Sequence, residues 1–319
     1  MLRLILTYLS RARWAQNLVR KWGFAQRMAS RFVAGDNLDD AVNAIKELND
    51  QGIYATLDHL GENVTTREGA RAATEEIINI LDRIALEGIQ SGVSIKLSQI
   101  GLVLDQKFCQ DNLEAILARA RELNIFIRID MEDSSLTEKT LGCFFASREA
   151  GYPDTVGIVL QSYLYRTEKD LQMILEDGGT VRLCKGAYNE PVGVAFPKKS
   201  AVDRNFDQLT KQLLDFSLQQ GMELSPDGMY PPTPALATHD EARIEYAIDY
   251  AREIDLPKKK IEFQMLYGIR SELQLSLNEQ GFPVRVYVPY GSEWYPYFMR
   301  RLAERPANLW FFLSNYFRG

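Results

Sequence analysis

The sequence predicts an α/β chain folded as one (β/α)8 TIM-like barrel behind an N-terminal helical arm. Three observations carry that expectation. Eight short β-rich runs alternate with longer helical stretches, the order that builds a parallel sheet. The 319 residues suit one such barrel, and no stretch rich in Pro, Gly or Ser divides them. The fingerprints of the competing doubly wound sheet, GxGxxG after the first strand or a GxxxxGKS/T loop, are missing.

Taken in order, residues 1–35 hold seven basic residues, Arg3, Arg11, Arg13, Arg20, Lys21, Arg27 and Arg31, and no acid. With Leu, Ile, Trp and Phe interleaved they read as a basic amphipathic helical arm, packed on the body, lying on a membrane surface or serving as a transit peptide. No apolar run approaches the ~20 residues that span a bilayer. Residues 36–319, the single barrel domain, carry 30 basic against 43 acidic residues, a charge of -13 beside the arm's +7. Strands are expected at 54–58 (YATLD), 93–97 (VSIKL), 125–130 (IFIRID), 156–161 (VGIVLQ), 181–185 (VRLCK), 235–239 (ALATH), 261–266 (IEFQML) and 284–288 (VRVYV). Helical patterns lie at 66–87, 112–123, 136–149, 168–176, 205–219 and 241–253.

Composition narrows the function. A hydrophobic share of 46% with 25% charged residues describes a globular protein, and a net charge of -6 argues against a nucleic-acid partner. Three cysteines and two histidines without HExxH or CxxC give no metal site, and the default compartment is a reducing cytosol.

The outer face of barrel strands is covered by helices and apolar, so charges at alternate strand positions point inward. Arg128, Glu262 and Arg285 read as a structural ion network, since buried charges persist when paired. Catalytic groups sit at the C-terminal strand ends, which selects Lys96, Asp130, Glu132, Gln161, Arg182, Lys185, Thr238, His239 and Tyr287. Lys96 and Asp130 end neighbouring strands and are expected to form a salt bridge. Lys185–Gly186–Ala187 is a candidate anion loop, a cation followed by small residues that open backbone N–H groups to a phosphate. Thr238–His239–Asp240 opens a helix, with Thr238 or Asp240 as a plain N-cap or as part of a second anion site. In the last helix Tyr297, Arg300, Arg301 and Glu304 are spaced i, i+3, i+4 and i+7, which brings two guanidinium groups forward together beside Glu304 and suits a carboxylate ligand.

The runs SIKLSQIGL (94–102), RIDMED (128–133), VLQSYL (159–164), VRLCKGAY (181–188), ATHD (237–240), FQMLYG (263–268) and VRVYVPYG (284–291), followed by YFMRRLAERPAN (297–308), resemble the proline dehydrogenase family in order and spacing. The resemblance spans about residues 54–308 and is nearest the monofunctional bacterial enzymes, since no aldehyde dehydrogenase domain follows Gly319. It implies FAD-dependent oxidation of L-proline to Δ1-pyrroline-5-carboxylate, hydride passing from proline C5 to flavin N5 and electrons to a membrane quinone. It also implies a transient pyrroline-5-carboxylate dehydrogenase partner and a cytoplasmic protein held peripherally at the inner face of the membrane.

Carried over, the resemblance makes Asp130 and Arg182 catalytic. Arg300, Arg301 and Lys96 become the cations around the proline carboxylate, with Glu304 steadying an arginine and Asp130 and Tyr287 buttressing Lys96. Tyr188, Leu266 and Tyr297 would enclose the ring. Arg182 and Gln161 would hydrogen-bond the isoalloxazine, Met131 pack beside it, and Lys185, Gly186, Ala187, Thr238 and His239 hold the ribityl and pyrophosphate parts. Asn189 follows Tyr188 where the bifunctional branch carries Trp. Two other classes fit the residues alone: a class I aldolase using Lys96 or Lys185 as Schiff-base nucleophile, and a non-catalytic anion-binding barrel tethered to membranes by its arm.

Overall fold

The β-rich runs form one closed barrel, every neighbouring pair parallel, in the order β1 (Tyr54–His59), β2 (Ser91–Ile95), β3 (Ile127–Ile129), β4 (Val156–Gln161), β5 (Thr180–Cys184), β6 (Ala235–Ala237), β7 (Glu262–Leu266) and β8 (Val284–Tyr290), with β8 pairing back to β1. The computed structural model describes residues 29–61, 64–221 and 223–304, with side chains as far as Arg301. Most of the basic arm therefore lies outside the described residues. Its last part packs on the barrel: Phe32 and Val33 are buried, and Ala34 N donates to Pro289 O at the end of β8.

Nine helices are described: α1 (Leu38–Asp50), α2 (Arg67–Glu87), α3 (Gln106–Glu122), α4 (Thr137–Glu149), α5 (Thr167–Glu176), α6 (Lys199–Gln220), α7 (Glu241–Glu253), α8 (Ser271–Glu279) and α9 (Trp294–Glu304). In α2 the buried Ala70, Thr74, Ile77, Ile80, Leu81 and Ile84 make one apolar stripe facing the sheet. The helix starts where Thr66 Oγ1 accepts the Gly69 N–H at 3.1 Å. Helix α3 begins six residues ahead of the expected 112 because Asp105 caps it, accepting from Phe108 N at 2.7 Å. Helices α1 and α8 were not expected.

Several strands stop earlier than their apolar runs suggested. Lys96, Asp130, Lys185, Thr238 and His239 all lie past the last ladder residue, at the barrel mouth.

The interior below the mouth is polar, as alternation requires. Glu262 and Arg285 are fully buried and meet through Arg285 Nε at 3.1 Å to both carboxylate oxygens. Arg285 spends its other donors on Ala55 O (2.9 Å) and Gly228 O (2.7 Å). Arg128 departs from the expected network. Its Nη1 donates to Ile158 O and Thr180 O, and its guanidinium lies 4.8 Å over the Phe126 ring, with no carboxylate in salt-bridge contact. Backbone carbonyls of β4 and β5 hold one of its terminal nitrogens in place of an acid.

Candidate active site

Five charged or phenolic side chains converge at the C-terminal ends of the strands. Lys96, one residue past β2, lies 3.2 and 3.3 Å from the two carboxylate oxygens of Asp58 at the end of β1. The same Nζ lies 3.3 Å from the Tyr287 hydroxyl of β8 and 3.5 Å from Asp130 Oδ2, so the expected Lys96–Asp130 pair exists but is the longer of two. Asp130, just past β3, accepts from the Tyr287 hydroxyl at 2.7 Å and from Arg182 Nη1 at 3.0 Å. Arg182 reaches it from β5, so this contact crosses the barrel, and its Nη1 also donates to Ser94 Oγ of β2 at 3.0 Å. Nε of Arg182 donates to Gln264 Oε1 of β7, and the guanidinium sits 5.5 Å over the Tyr287 ring.

The electrostatics follow from burial. Asp58 is 1% exposed, and burial raises its carboxyl above the usual carboxylate range; Asp130 pushes the same way and Lys96 opposes it. Burial, then the charges of Asp130 and Asp58, raise the Tyr287 hydroxyl well above the ordinary tyrosine value. Tyr287 is thus a hydrogen-bond donor at neutral pH. Glu132 turns aside: it accepts from both the backbone and the hydroxyl of Ser98 and ties down the β2–α3 loop.

On the other side of the mouth, Gln161 Nε2 donates to Met131 O at 3.2 Å, while its Oε1 is buried without a hydrogen-bond partner. Gly186 has φ +104°, and a Cβ there would stand 2.4 Å from the Tyr163 ring, so backbone and ring both demand a glycine. Lys185 corrects an expectation. It is no open cation for an anion loop, because α6 and the start of α7 bring Asp203 (2.5 Å) and Asp240 (2.6 Å) onto its Nζ. Asp240 precedes α7 as its N-cap residue but makes no side-chain cap; its carboxylate goes to Lys185, and its N–H donates to Thr238 Oγ1 at 3.1 Å. His239 Nε2 accepts from Leu266 N at 3.0 Å, which seats the imidazole on the end of β7.

Helix α9 starts four residues past β8 and carries Tyr297, buried, with Arg300 and Arg301 partly exposed. The Arg301 guanidinium stacks 5.1 Å over the Tyr297 ring one turn back, and Phe32 from the arm supports the helix through Phe298, ring to ring at 6.2 Å. The Glu304 side chain lies outside the described ones. Tyr188 and Leu266 are half-buried just past β5 and at the end of β7. Sequence reasoning missed Asp58, Ser94, Gln264 and Asp203 as partners of the selected residues. Asp58 met the strand-end rule that picked Lys96, two positions after the inward Thr56. The pairing of Lys185 with Asp203 had no sequence signal.

A closed parallel barrel with a cross-linked charged cluster at the C-terminal strand ends defines a (β/α)8-barrel enzyme. The family model for proline dehydrogenase matches residues 41–312, and the chain belongs to that family of oxidoreductases. It is 42% identical to proline dehydrogenase 2 of Bacillus subtilis (strain 168) over 95% of each chain. It is 37% identical to the proline dehydrogenase of Deinococcus radiodurans over 92% of this chain and 91% of that one. Among solved structures, proline utilization A (PutA) from Bdellovibrio bacteriovorus inactivated by N-propargylglycine matches with a TM-score of 0.78 at 24% identity. That match covers 87% of this chain and 32% of the other, so the chain spans about a third of that protein, and the likeness is one of fold.

Proposed function

We propose that the chain oxidises L-proline to Δ1-pyrroline-5-carboxylate, the first step of proline catabolism to glutamate, with FAD as resident cofactor and a membrane quinone as final electron acceptor. FAD, when bound, supplies at N5 the acceptor for a hydride leaving proline C5. The observation that carries the reading is the cluster of Lys96, Asp58, Asp130, Tyr287 and Arg182 at the mouth, on the side where β8 runs into the helix of Arg300 and Arg301.

Lys96, Arg300 and Arg301 bind the substrate carboxylate, and Glu304 steadies an arginine. Asp58 and Asp130 hold the Lys96 ammonium from below, and Tyr287 locks Asp130 by donating its phenolic proton. Tyr188, Leu266 and Tyr297 line the ring and exclude water. Four cations against three carboxylates favour the neutral amine, from which the ring nitrogen's lone pair can form the imine. The residues fit FAD: the orphaned Gln161 Oε1 is an acceptor for a ring N–H, Arg182 is a donor for a ring oxygen or nitrogen, and Met131 is an apolar flank. Because Asp203 and Asp240 compensate Lys185, a pyrophosphate there relies on the backbone N–H groups of Gly186 and Ala187 and on Thr238 and His239. An aldolase lysine needs an apolar pocket or a neighbouring cation, whereas Lys96 and Lys185 each face two carboxylates.

The acceptor would be met at the inner face of the membrane, with the basic arm as contact and a pyrroline-5-carboxylate dehydrogenase as transient partner; among the described residues no helix is long and apolar enough to cross a membrane. The test is Arg301→Met, which leaves FAD bound. Removing a charge-assisted partner of a desolvated carboxylate costs about 2–5 kcal/mol, so kcat/KM for proline should fall by at least about 30-fold. Near-normal turnover at low proline overturns the clamp.

A further inference from the structure

The loop from β5 to α6, residues 185–198, carries Gly186, Ala187 and Tyr188 of the proposed site. Its far half is fixed by backbone contacts. Tyr165 N donates to Val194 O and Phe196 N to Tyr163 O, and Leu164 and Ala195 form an antiparallel bridge. Its near half is gripped through a carboxylate. Glu190 accepts the backbone N–H of Ser134 on one oxygen, at 2.8 Å, and the Ser134 hydroxyl on the other. Ser134 belongs to the loop after β3, the same short segment as Asp130 and Met131. Tyr163 stands between the two loops: its ring fills the space where Gly186 would carry a Cβ, and its hydroxyl lies 3.5 Å from Glu190 Oε1. One loop earlier Glu132 grips Ser98 in the same way, so the loops after β2, β3 and β5 are joined in series around the mouth.

We propose that Glu190 is a positioning residue for proline oxidation, a latch that holds Tyr188 at the substrate ring by tying its loop to the segment of Asp130 and Met131. The inference rests on the proposed place of Tyr188 at the ring.

A carboxylate suits the task because it only accepts, and its two oxygens take the N–H and O–H of one serine together. A glutamate that merely kept the surface soluble would leave those oxygens to water. The latch sets the fraction of molecules whose loop is in place, and apparent affinity for substrate scales with that fraction, while saturating substrate restores it.

Losing a charge-assisted hydrogen bond is worth a factor of about 10 or more. Glu190→Ala should therefore raise KM for proline about 10-fold, with kcat at saturating proline within about twofold of the parent. Glu190→Gln keeps an acceptor for Ser134 N and offers an amide donor to its hydroxyl oxygen, so KM should return to within about twofold of the parent. Ser134→Ala loosens the same latch from the other side; it should raise KM alone, and add nothing to Glu190→Ala. It also carries the test if Glu190→Ala does not fold. An unchanged KM in both alanine variants, a Gln variant as poor as the Ala one, or KM effects that multiply in the double variant overturns the proposal. If the parent itself does not oxidise proline, the fault lies with the proposed function, and amide hydrogen exchange decides the latch: residues 186–189 should exchange faster in Glu190→Ala than in the parent, and equal rates overturn it.

Discussion

Lys96 and Asp58 offer a test that separates holding the fold from holding the substrate. Lys96→Met leaves the Asp58 carboxylate, 1% exposed, without its cation, and removing one partner of a buried pair costs about 3–5 kcal/mol. Asp58→Asn should cost less, about 2 kcal/mol, since Lys96 keeps Asp130 at 3.5 Å and the Tyr287 hydroxyl at 3.3 Å. The double variant removes both charges and leaves a side chain of similar length at position 96. It should stay within about 1–2 kcal/mol of the parent, giving a coupling of about 3–6 kcal/mol, far above the ~0.5 kcal/mol scatter of independent sites. The pH dependence has a defined sign. The Asp58 carboxyl is already raised by burial, and Lys96→Met removes the group that lowers it. The folded state of that variant then binds more protons than the unfolded one, so its stability falls as pH rises from the ordinary aspartate value of about 4 toward neutrality. Adding Asp58→Asn should flatten that slope. Urea unfolding at pH 5 and pH 8 reads these effects, and proline kinetics read the other half: KM stays high in the double variant because the carboxylate has lost Lys96 for good. Stabilities of the single variants that simply add, or a KM that recovers with stability, would refute the reasoning.

With FAD bound as proposed, Arg182→Met should lower the flavin reduction potential, because the proposed contact to the anionic reduced ring is a donor worth about 1.5–3 kcal/mol, or about 30–65 mV for two electrons; an unchanged potential puts Arg182 away from the ring. Deleting residues 1–28 should abolish co-sedimentation with anionic vesicles, which in the full chain should weaken as salt rises, while proline:dye activity in solution survives; equal sedimentation of both proteins rules out the arm as a membrane contact.

Barrel, strand count and the polar interior were legible because apolar runs of strand length repeat eight times and six of those runs carry charge. Lys96, Asp130, Arg182 and Tyr287 followed from strand ends, where register alone decides which side chains face the mouth. Partnerships were less legible. Asp203 lies in α6, 18 residues beyond Lys185, and Asp240 comes from the next unit, so their meeting at one ammonium depends on how α6 and α7 tilt against β5 and β6. Spacing along the chain does not encode that tilt. Arg128 shows the reverse case, an inward charge rightly placed by alternation but held at Nη1 by carbonyls of β4 and β5, which no residue type advertises.

Gln264 joins the two halves of the interior, and its chemistry explains why an amide stands there. Its Oε1 accepts from Arg182 Nε and its Nε2 donates to Glu262 Oε1, so a continuous chain runs from Arg285 and Glu262 at the floor through Gln264 and Arg182 to Asp130 and Tyr287 at the mouth. A guanidinium only donates and a carboxylate only accepts; between them the link must do one of each. Gln264→Leu strands the buried Nε–H of Arg182, while Glu262 Oε1 keeps Arg285, so it should lose about 1–3 kcal/mol of stability. Gln264→Glu keeps the acceptor for Arg182 but sets a carboxylate against Glu262, and the two can meet only while sharing a proton. The folded pair then holds a proton that the unfolded chain has released, so the variant should approach parental stability near pH 5 and lose it as pH rises toward 8. Denaturation curves at those two pH values decide the point: a Gln264→Glu protein as stable as the parent at both would mean that Gln264 is a spacer, and that the mouth cluster is held without the floor.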